Sequence, residues 1–223
     1  MHAETSDPSA EKLSNHARVK SDEVSARLYT HRKPRKHRSE MQLVEKAFSL
    51  LPAGSVKSVL DAPCGVGRIS VWLTQQGCQV TGVDLGEAAV ELSRASLDEQ
   101  GLTADIKVQN IMAMEFSDRA FDCSICFRLL HHFEEKDAKE RLIRELCRVT
   151  SRYVIISYFS PVSVISLRRR FRKFVSGKPI KQYPDSLPSL QAMFNKSDFQ
   201  LYGQVKRSKI LHSLQLAIFE RHI

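Results

Sequence analysis

The stretch Ser58-Val-Leu-Asp-Ala-Pro-Cys-Gly-Val-Gly-Arg-Ile-Ser70 limits what this chain can fold into more than any other. Val56, Val59 and Leu60 read as the end of a buried β-strand that Asp61 closes. Two glycines follow within a turn, and Val71, Trp72 and Leu73 begin a helix on an apolar face. Strand, glycine turn and helix together form a nucleotide-binding layout, with backbone N–H groups aimed at the ligand. Glycine has no Cβ to hold a ligand away from the backbone. About 17 residues after Gly67 a second strand, residues 79–83, runs into Asp84. An acidic side chain there can accept hydrogen bonds from both hydroxyls of a ribose.

Two cofactor classes use this arrangement. A dinucleotide oxidoreductase wants a third glycine, and Ser70 stands in its place. It also has no usual need for a carboxylate at the end of the first strand, whereas a ligand with ammonium and sulfonium charges suits Asp61. At these residues the sequence resembles the class I S-adenosylmethionine (SAM)-dependent methyltransferases, whose first motif looks like Val-Leu-Asp-x-x-Cys-Gly-x-Gly. Pro63 replaces that family's first glycine, which predicts a stiffer turn.

The resemblance extends over about residues 40–220. It implies a three-layer α/β/α sandwich with a seven-stranded, mostly parallel sheet whose last strand is antiparallel. It also implies cofactor contacts from Asp61, Ala62, Cys64, Gly65 and Gly67 in the first turn and from Asp84 and Leu85 after the second strand. A third strand around Ile106 and Val108 ends at Asn110-Ile111. Family members usually carry an acid at the position of Asn110 to take the adenine amino group. The Asn110 side-chain oxygen can accept the same bond, and the backbone N–H of Ile111 can serve the ring nitrogen.

Met114 to Asp122, followed by Cys-Ser-Ile-Cys-Phe-Arg-Leu-Leu-His131-His132-Phe133, is similar to the family's segment leading into strand four and its Leu-His-His-Leu ending. Phe127 falls at the carboxyl end of that strand, beside the methionine part of the cofactor. Cys123-x-x-Cys126 near two histidines invites a metal reading. Residues three apart on a strand point to opposite faces, however, and no second cysteine pair has zinc spacing. Buried small hydrophobes are the better account, and no metal is expected.

The expected chemistry is methyl transfer from SAM to a small-molecule acceptor at oxygen, leaving S-adenosylhomocysteine (SAH). The enzyme's main task is alignment of nucleophile and methyl. A base is needed only where the acceptor holds a proton at neutral pH. Some small-molecule O-methyltransferases of this kind use a histidine at the mouth beyond strand four, so His131 and His132 are candidates. The residues alone do not choose between them, or between a base and a core histidine. Arg128 is a candidate substrate contact, and Tyr29 and Arg38 are candidates for an N-terminal segment folded over the site.

Length and charge bound the rest. The 223 residues suit one α/β domain with extensions. Residues 1–38 read as a flexible basic segment and 39–223 as the methyltransferase domain, beginning with a helix over residues 39–51. No apolar run is long enough to span a membrane, and the polar N-terminus has no signal-peptide core. Five scattered cysteines fit reduced thiols and a cytoplasmic location. Most of the excess behind the net charge of +9 can be assigned to an insert at about 161–185, whose residues 161–181 carry Arg168, Arg169, Arg170, Arg172, Lys173, Lys178 and Lys181 and no acid. Leu167, Phe171, Phe174 and Val175 can share a helix face there. Such a helix could cover the substrate, lie on an anionic membrane and hold a lipid-like acceptor, or touch nucleic acid.

Overall fold

The structure is a computed structural model and describes residues 34–163, 182–206 and 213–222. Tyr29 and the basic run 168–181 lie outside the described residues. Among the described residues seven strands form one sheet: β1 (Ser58–Asp61), β2 (Gln79–Asp84), β3 (Asp105–Val108), β4 (Phe121–Cys126), β5 (Thr150–Phe159), β6 (Phe199–Lys206) and β7 (Leu214–Arg221). Their spatial order is β3-β2-β1-β4-β5-β7-β6. β1, β2, β3, β4 and β5 pair in parallel, while β7 is antiparallel to both neighbours. The strand order reverses between β1 and its neighbours β2 and β4, which opens a crevice at their carboxyl ends.

The described helices that cover the sheet are α1 (Pro34–Phe48), α2 (Arg68–Gln75), α3 (Glu87–Asp98), α4 (Lys136–Val149) and α5 (Leu187–Asn195). Strand alternation sorts the core into two layers. Val59, Cys123, Ile125, Tyr153 and Ile155 face Leu43, Val44 and Ala47 of α1 and Ile69 and Leu73 of α2. Leu60, Cys126, Val154 and Ile156 face the α4 and α5 side, with Leu142, Leu146 and Phe194. Cys123 and Cys126 therefore sit on opposite faces, each completely buried. Burial pushes both thiols well above the ordinary cysteine range.

Asp122 registers β4 against β1. Its carboxylate accepts the backbone N–H groups of Lys57 (2.8 Å) and Ser58 (2.9 Å), and its own N–H donates to Ser58 Oγ (2.9 Å). At the amino end of α5, Ser186 Oγ accepts the N–H of Ser189 (3.2 Å), and Pro188 occupies the first turn, where no N–H is missed.

The helix expected from Ser39 begins five residues earlier, at Pro34. Apolar spacing could not reveal this turn, because Arg35, Lys36, His37 and Arg38 are polar. Arg38 lies exposed on this turn. The fifth strand is also longer than its apolar centre, residues 153–156, suggests. β3 is an edge strand, and Val108 is 45 % exposed on it although it sits in the apolar alternation.

Candidate active site

The turn between β1 and α2 is built around Asp61. Its side chain is completely buried. One oxygen, Oδ2, accepts from Ser70 Oγ at 2.7 Å, while Oδ1 is buried with no hydrogen-bond partner among the described residues. Burial, opposed by the Ser70 hydrogen bond and reinforced by the nearby Asp84 charge, pushes the Asp61 carboxyl up to about 7. A buried acceptor left open is costly unless something fills it. A ligand ammonium fits this oxygen in charge and in hydrogen-bonding capacity.

Ala62 donates its N–H to Ile125 O (3.0 Å), and Cys64 donates its N–H to Val83 O (2.9 Å), so the turn is tied to the ends of β4 and β2. The Ala62–Pro63 peptide is cis. Cys64 is buried, and burial pushes its thiol up, away from ionisation. The two glycines do different work. Gly65, with φ +53°, has no atom of the described residues within 4 Å of where a Cβ would stand. Gly67, with φ +83°, would place a Cβ 2.6 Å from Ser93 Oγ and 3.0 Å from Ser93 Cα. Gly67 thus permits α2 to pack against α3.

Asp84 closes β2 beside this turn. Its Oδ2 accepts the N–H of Gly65 (3.0 Å) and its Oδ1 accepts the N–H of Gly86 (3.0 Å). Burial raises its carboxyl despite those donors. Each oxygen keeps a lone pair after one such bond. Leu85 follows, half-buried. Beyond β3, Asn110 Oδ1 accepts the N–H of Met112 (3.0 Å), closing a local turn that fixes the amide. Ile111 buries its side chain in the core layer with Met112 and Met114, so only its main chain is available to a ligand.

The end of β4 forms the other wall. Phe127 is buried in the layer beneath α1, which makes its ring a core element. Arg128 follows with φ +63°, rare for a residue with a Cβ. Its N–H donates to Ser157 Oγ (2.6 Å) and its Nη1 to Glu40 Oε1 (3.1 Å). A short 3₁₀ turn, Leu130–His132, comes next. His131 is completely buried, its ring stacked on Phe159 at a centroid distance of 4.0 Å and beside His132 at 4.3 Å. Its carbonyl accepts the N–H of Tyr183 (2.8 Å), whose hydroxyl donates to Glu134 Oε2 (2.9 Å). The candidate pair is therefore split: His131 belongs to the core, and the half-buried imidazole of His132 is the one nearer the surface.

Three contributors are not visible in the sequence as site residues. Ser70 reads there only as a missing glycine, yet its hydroxyl donates to the Asp61 carboxylate. Arg68 opens α2 directly after the glycine turn and lies 3.6 Å from Glu40 Oε2. Glu40, in α1, is 2 % exposed. An acid among basic residues at the start of an amphipathic helix is the one signal that could have found it.

Residues 59–152 match the family model described as a methyltransferase domain. The ubiquinone biosynthesis O-methyltransferase of Stutzerimonas stutzeri is 40% identical over 78 residues, which make up 34% of this chain and 33% of that protein. An uncharacterized protein of Haemophilus influenzae is 36% identical over 96 residues, 42% of this chain and 38% of that one. The chain thus matches well under half the length of these curated relatives. Magnesium protoporphyrin IX methyltransferase from Synechocystis PCC 6803, solved with bound SAH, superposes with a TM-score of 0.66 at 18% identity, covering 82% of this chain and 80% of that one. A Pyrococcus horikoshii OT3 protein superposes with a TM-score of 0.68 at 18% identity, covering 83% and 91%. At these identities the likeness is one of fold. Residues 59–152 thus resemble a methyltransferase domain, and the described residues share the Rossmann-like fold of the solved Synechocystis methyltransferase.

Proposed function

We propose that this protein binds SAM and transfers its methyl group to a small-molecule acceptor, at oxygen. The observation that carries the reading is the pairing of carboxylates at neighbouring strand ends. Asp61 offers one buried, unpartnered oxygen at the end of β1, and Asp84 stands at the end of β2. When bound, SAM supplies a methyl group on a sulfonium, activated for in-line displacement.

The chain's own residues bind, orient and accept a proton. Asp61 Oδ1 takes the ligand ammonium, while Ser70 holds the carboxylate in place. The free lone pairs of Asp84 take the ribose hydroxyls, and the N–H groups of Gly65 and Gly86 fix that carboxylate. The second lone pair of Asn110 Oδ1 takes an adenine amino group. His132 is the candidate base for an acceptor hydroxyl, its ring packed at a tilt against that of His131. Arg128 and Tyr29 are candidate acceptor contacts. The oxygen acceptor is supported by the stretch shared with the ubiquinone biosynthesis O-methyltransferase, which spans only a third of that protein.

A second reading, an enzyme held at an anionic membrane surface, draws on the seven basic residues of 168–181 beside Phe171 and Phe174. Among the described residues no helix is long and apolar enough to cross a membrane. Calorimetry with SAM, SAH and NAD tests the cofactor. Incubation with methyl-labelled SAM and a panel of phenols, catechols and amines tests the acceptor. Tighter binding of NAD than of SAH overturns the reading, and label passing only to amines overturns the oxygen assignment.

A further inference from the structure

The acid Glu40 stands apart from the ligand-facing residues, and its surroundings give it a task. It lies in the second turn of α1 with its side chain 3 % exposed. Arg128 Nη1 donates a hydrogen bond to Oε1 (3.1 Å), while Arg68 Nη2 lies at ion-pair distance from Oε2 (3.6 Å) and Lys36 Nζ from Oε1 (3.7 Å); Oε2 has no hydrogen-bond partner among the described residues. The two arginines come from different walls of the crevice. Arg68 is the first residue of α2, next to Gly67 in the turn after β1. Arg128 follows Phe127 at the end of β4 and leads into the turn that holds His132. One carboxylate therefore joins the cofactor turn to the turn of the candidate base, with α1 as the strut.

The alternative is a surface helix pinned by an incidental ion pair. Exposed pairs contribute little, because water screens them and side-chain entropy opposes them. Glu40 is not exposed, and a buried acid is retained only where cations and hydrogen bonds hold it. Arg128 also keeps a left-handed backbone conformation, which surrounding contacts must enforce. Its anchors include Ser157 Oγ on its N–H and Glu40 on its guanidinium.

Resting on the proposed SAM site, we propose that Glu40 is a positioning residue: its carboxylate locks Arg68 and Arg128 together, and so holds the β1 turn and the β4 turn at the spacing that the cofactor and the acceptor need. The residue touches neither ligand. Its effect passes through the two arginines to the backbone of residues 65–67 on one side and 128–132 on the other.

The test compares Glu40→Gln and Glu40→Asp with the wild type, each at a temperature where circular dichroism shows a native fold. Glu40→Gln keeps the shape and an acceptor oxygen but removes the charge. Glu40→Asp keeps the charge with a shorter reach. The SAH dissociation constant should rise about 10- to 100-fold in Glu40→Gln and by a smaller factor, about 3- to 10-fold, in Glu40→Asp, the order set by weakening the charge-assisted hydrogen bond to Arg128 and the ion pair with Arg68. Equal weakening in both variants assigns Glu40 to packing alone and overturns the proposal, as does an unchanged constant in either. If Glu40→Gln does not fold, an unchanged SAH constant in Glu40→Asp still overturns the proposal. Hydrogen exchange in the SAH-free chain gives a readout independent of the cofactor. The Gly65, Gly67 and Arg128 amides should exchange faster in the variants while those of β2 and β7 stay unchanged. Unaltered exchange at all three amides overturns the proposal. A wild type that binds no SAH overturns the methyltransferase reading instead, and the exchange data still decide whether Glu40 links the turns.

Discussion

Replacing Asp61 with asparagine should weaken the cofactor and stabilise the fold, and the two effects come from the same burial. In the free protein the Asp61 carboxyl titrates at about 7, because burial disfavours its charge. A ligand ammonium on Oδ1 favours the charged form, so binding at or below neutral pH must expel a proton. The free carboxylate is fully available above about pH 8 and is lost as pH falls through about 7. SAH should therefore bind about tenfold more weakly at pH 6 than at pH 8. An amide has no such proton to lose, so the Asp61→Asn variant should show little pH dependence over that range. At pH 8 it should also forfeit about 2–4 kcal/mol, the scale of a charge-assisted bond in a largely desolvated site, or about 30- to 700-fold in affinity. Stability moves the other way. The folded-state carboxyl lies above its unfolded value of 3.8, so the native state holds more protons between those values and loses stability as pH rises through that window. The difference between 3.8 and about 7 corresponds to roughly 4 kcal/mol at pH 8 at most. The asparagine side chain keeps the Ser70 bond without that burden, so the variant's melting temperature at pH 8 should exceed that of the wild type by several degrees. Isothermal calorimetry in two buffers of different ionisation enthalpy measures affinity and the released proton together. Thermal unfolding at pH 5 and pH 8 measures the rest. Wild-type affinity equal at pH 6 and pH 8, or an Asp61→Asn variant that binds SAH as tightly as the wild type, would refute an ammonium partner for Oδ1.

The remaining predictions address the other parts of the site. Asp84→Ala should weaken SAH binding by about 2–4 kcal/mol, since two charge-assisted bonds to the ribose are lost and the Gly65 and Gly86 N–H groups lose their acceptor; unchanged affinity in calorimetry would remove Asp84 from the site. His132→Ala should lower turnover by about 10²–10⁴ while SAH still binds, whereas His131→Ala should chiefly lower the melting temperature by emptying a ring from the Phe159 stack. Equal turnover in both histidine variants would mean that positioning suffices without a base. If residues 168–181 engage a membrane, co-sedimentation with anionic vesicles should weaken with salt and with Phe171→Ala and Phe174→Ala, each basic residue contributing about 1 kcal/mol. RNA binding that ignores those phenylalanines would assign the segment to nucleic acid.

Much of the fold is legible because it is written in local patterns. Val59 and Leu60 before Asp61, the glycine turn and the apolar positions of α2 fall within a few residues of one another. They specify a βα unit before any distant contact is known. Strand alternation also decides the cysteines, since Cys123 and Cys126 have to face different layers and do. The hairpin of β6 and β7 comes from two apolar runs, and its antiparallel pairing follows from the short connection between them. The first turn of α1 is not legible in this way. It buries no apolar side chain early on, and its basic residues oppose the helix dipole, so propensity and periodicity both pass over it.

The cofactor wall and the acceptor wall differ in legibility for the same reason. Asp61 and Asp84 close neighbouring strands, and a strand end projects its side chain into the crevice whatever the rest of the chain does. Which of His131 and His132 turns inward depends instead on Phe159, at the far end of another strand, and on Tyr183, late in the insert. Glu40 is an extreme case: its partner Arg128 is 88 residues away. No window on the sequence contains both, and each alone reads as an ordinary charge on a solvated helix or loop. Burial turns that pair from a weak surface contact into a constraint on backbone position. Candidate ligand-binding residues that owe their place to a strand end can thus be read from one motif. Residues that set the distance between motifs become visible only when the strands are brought side by side.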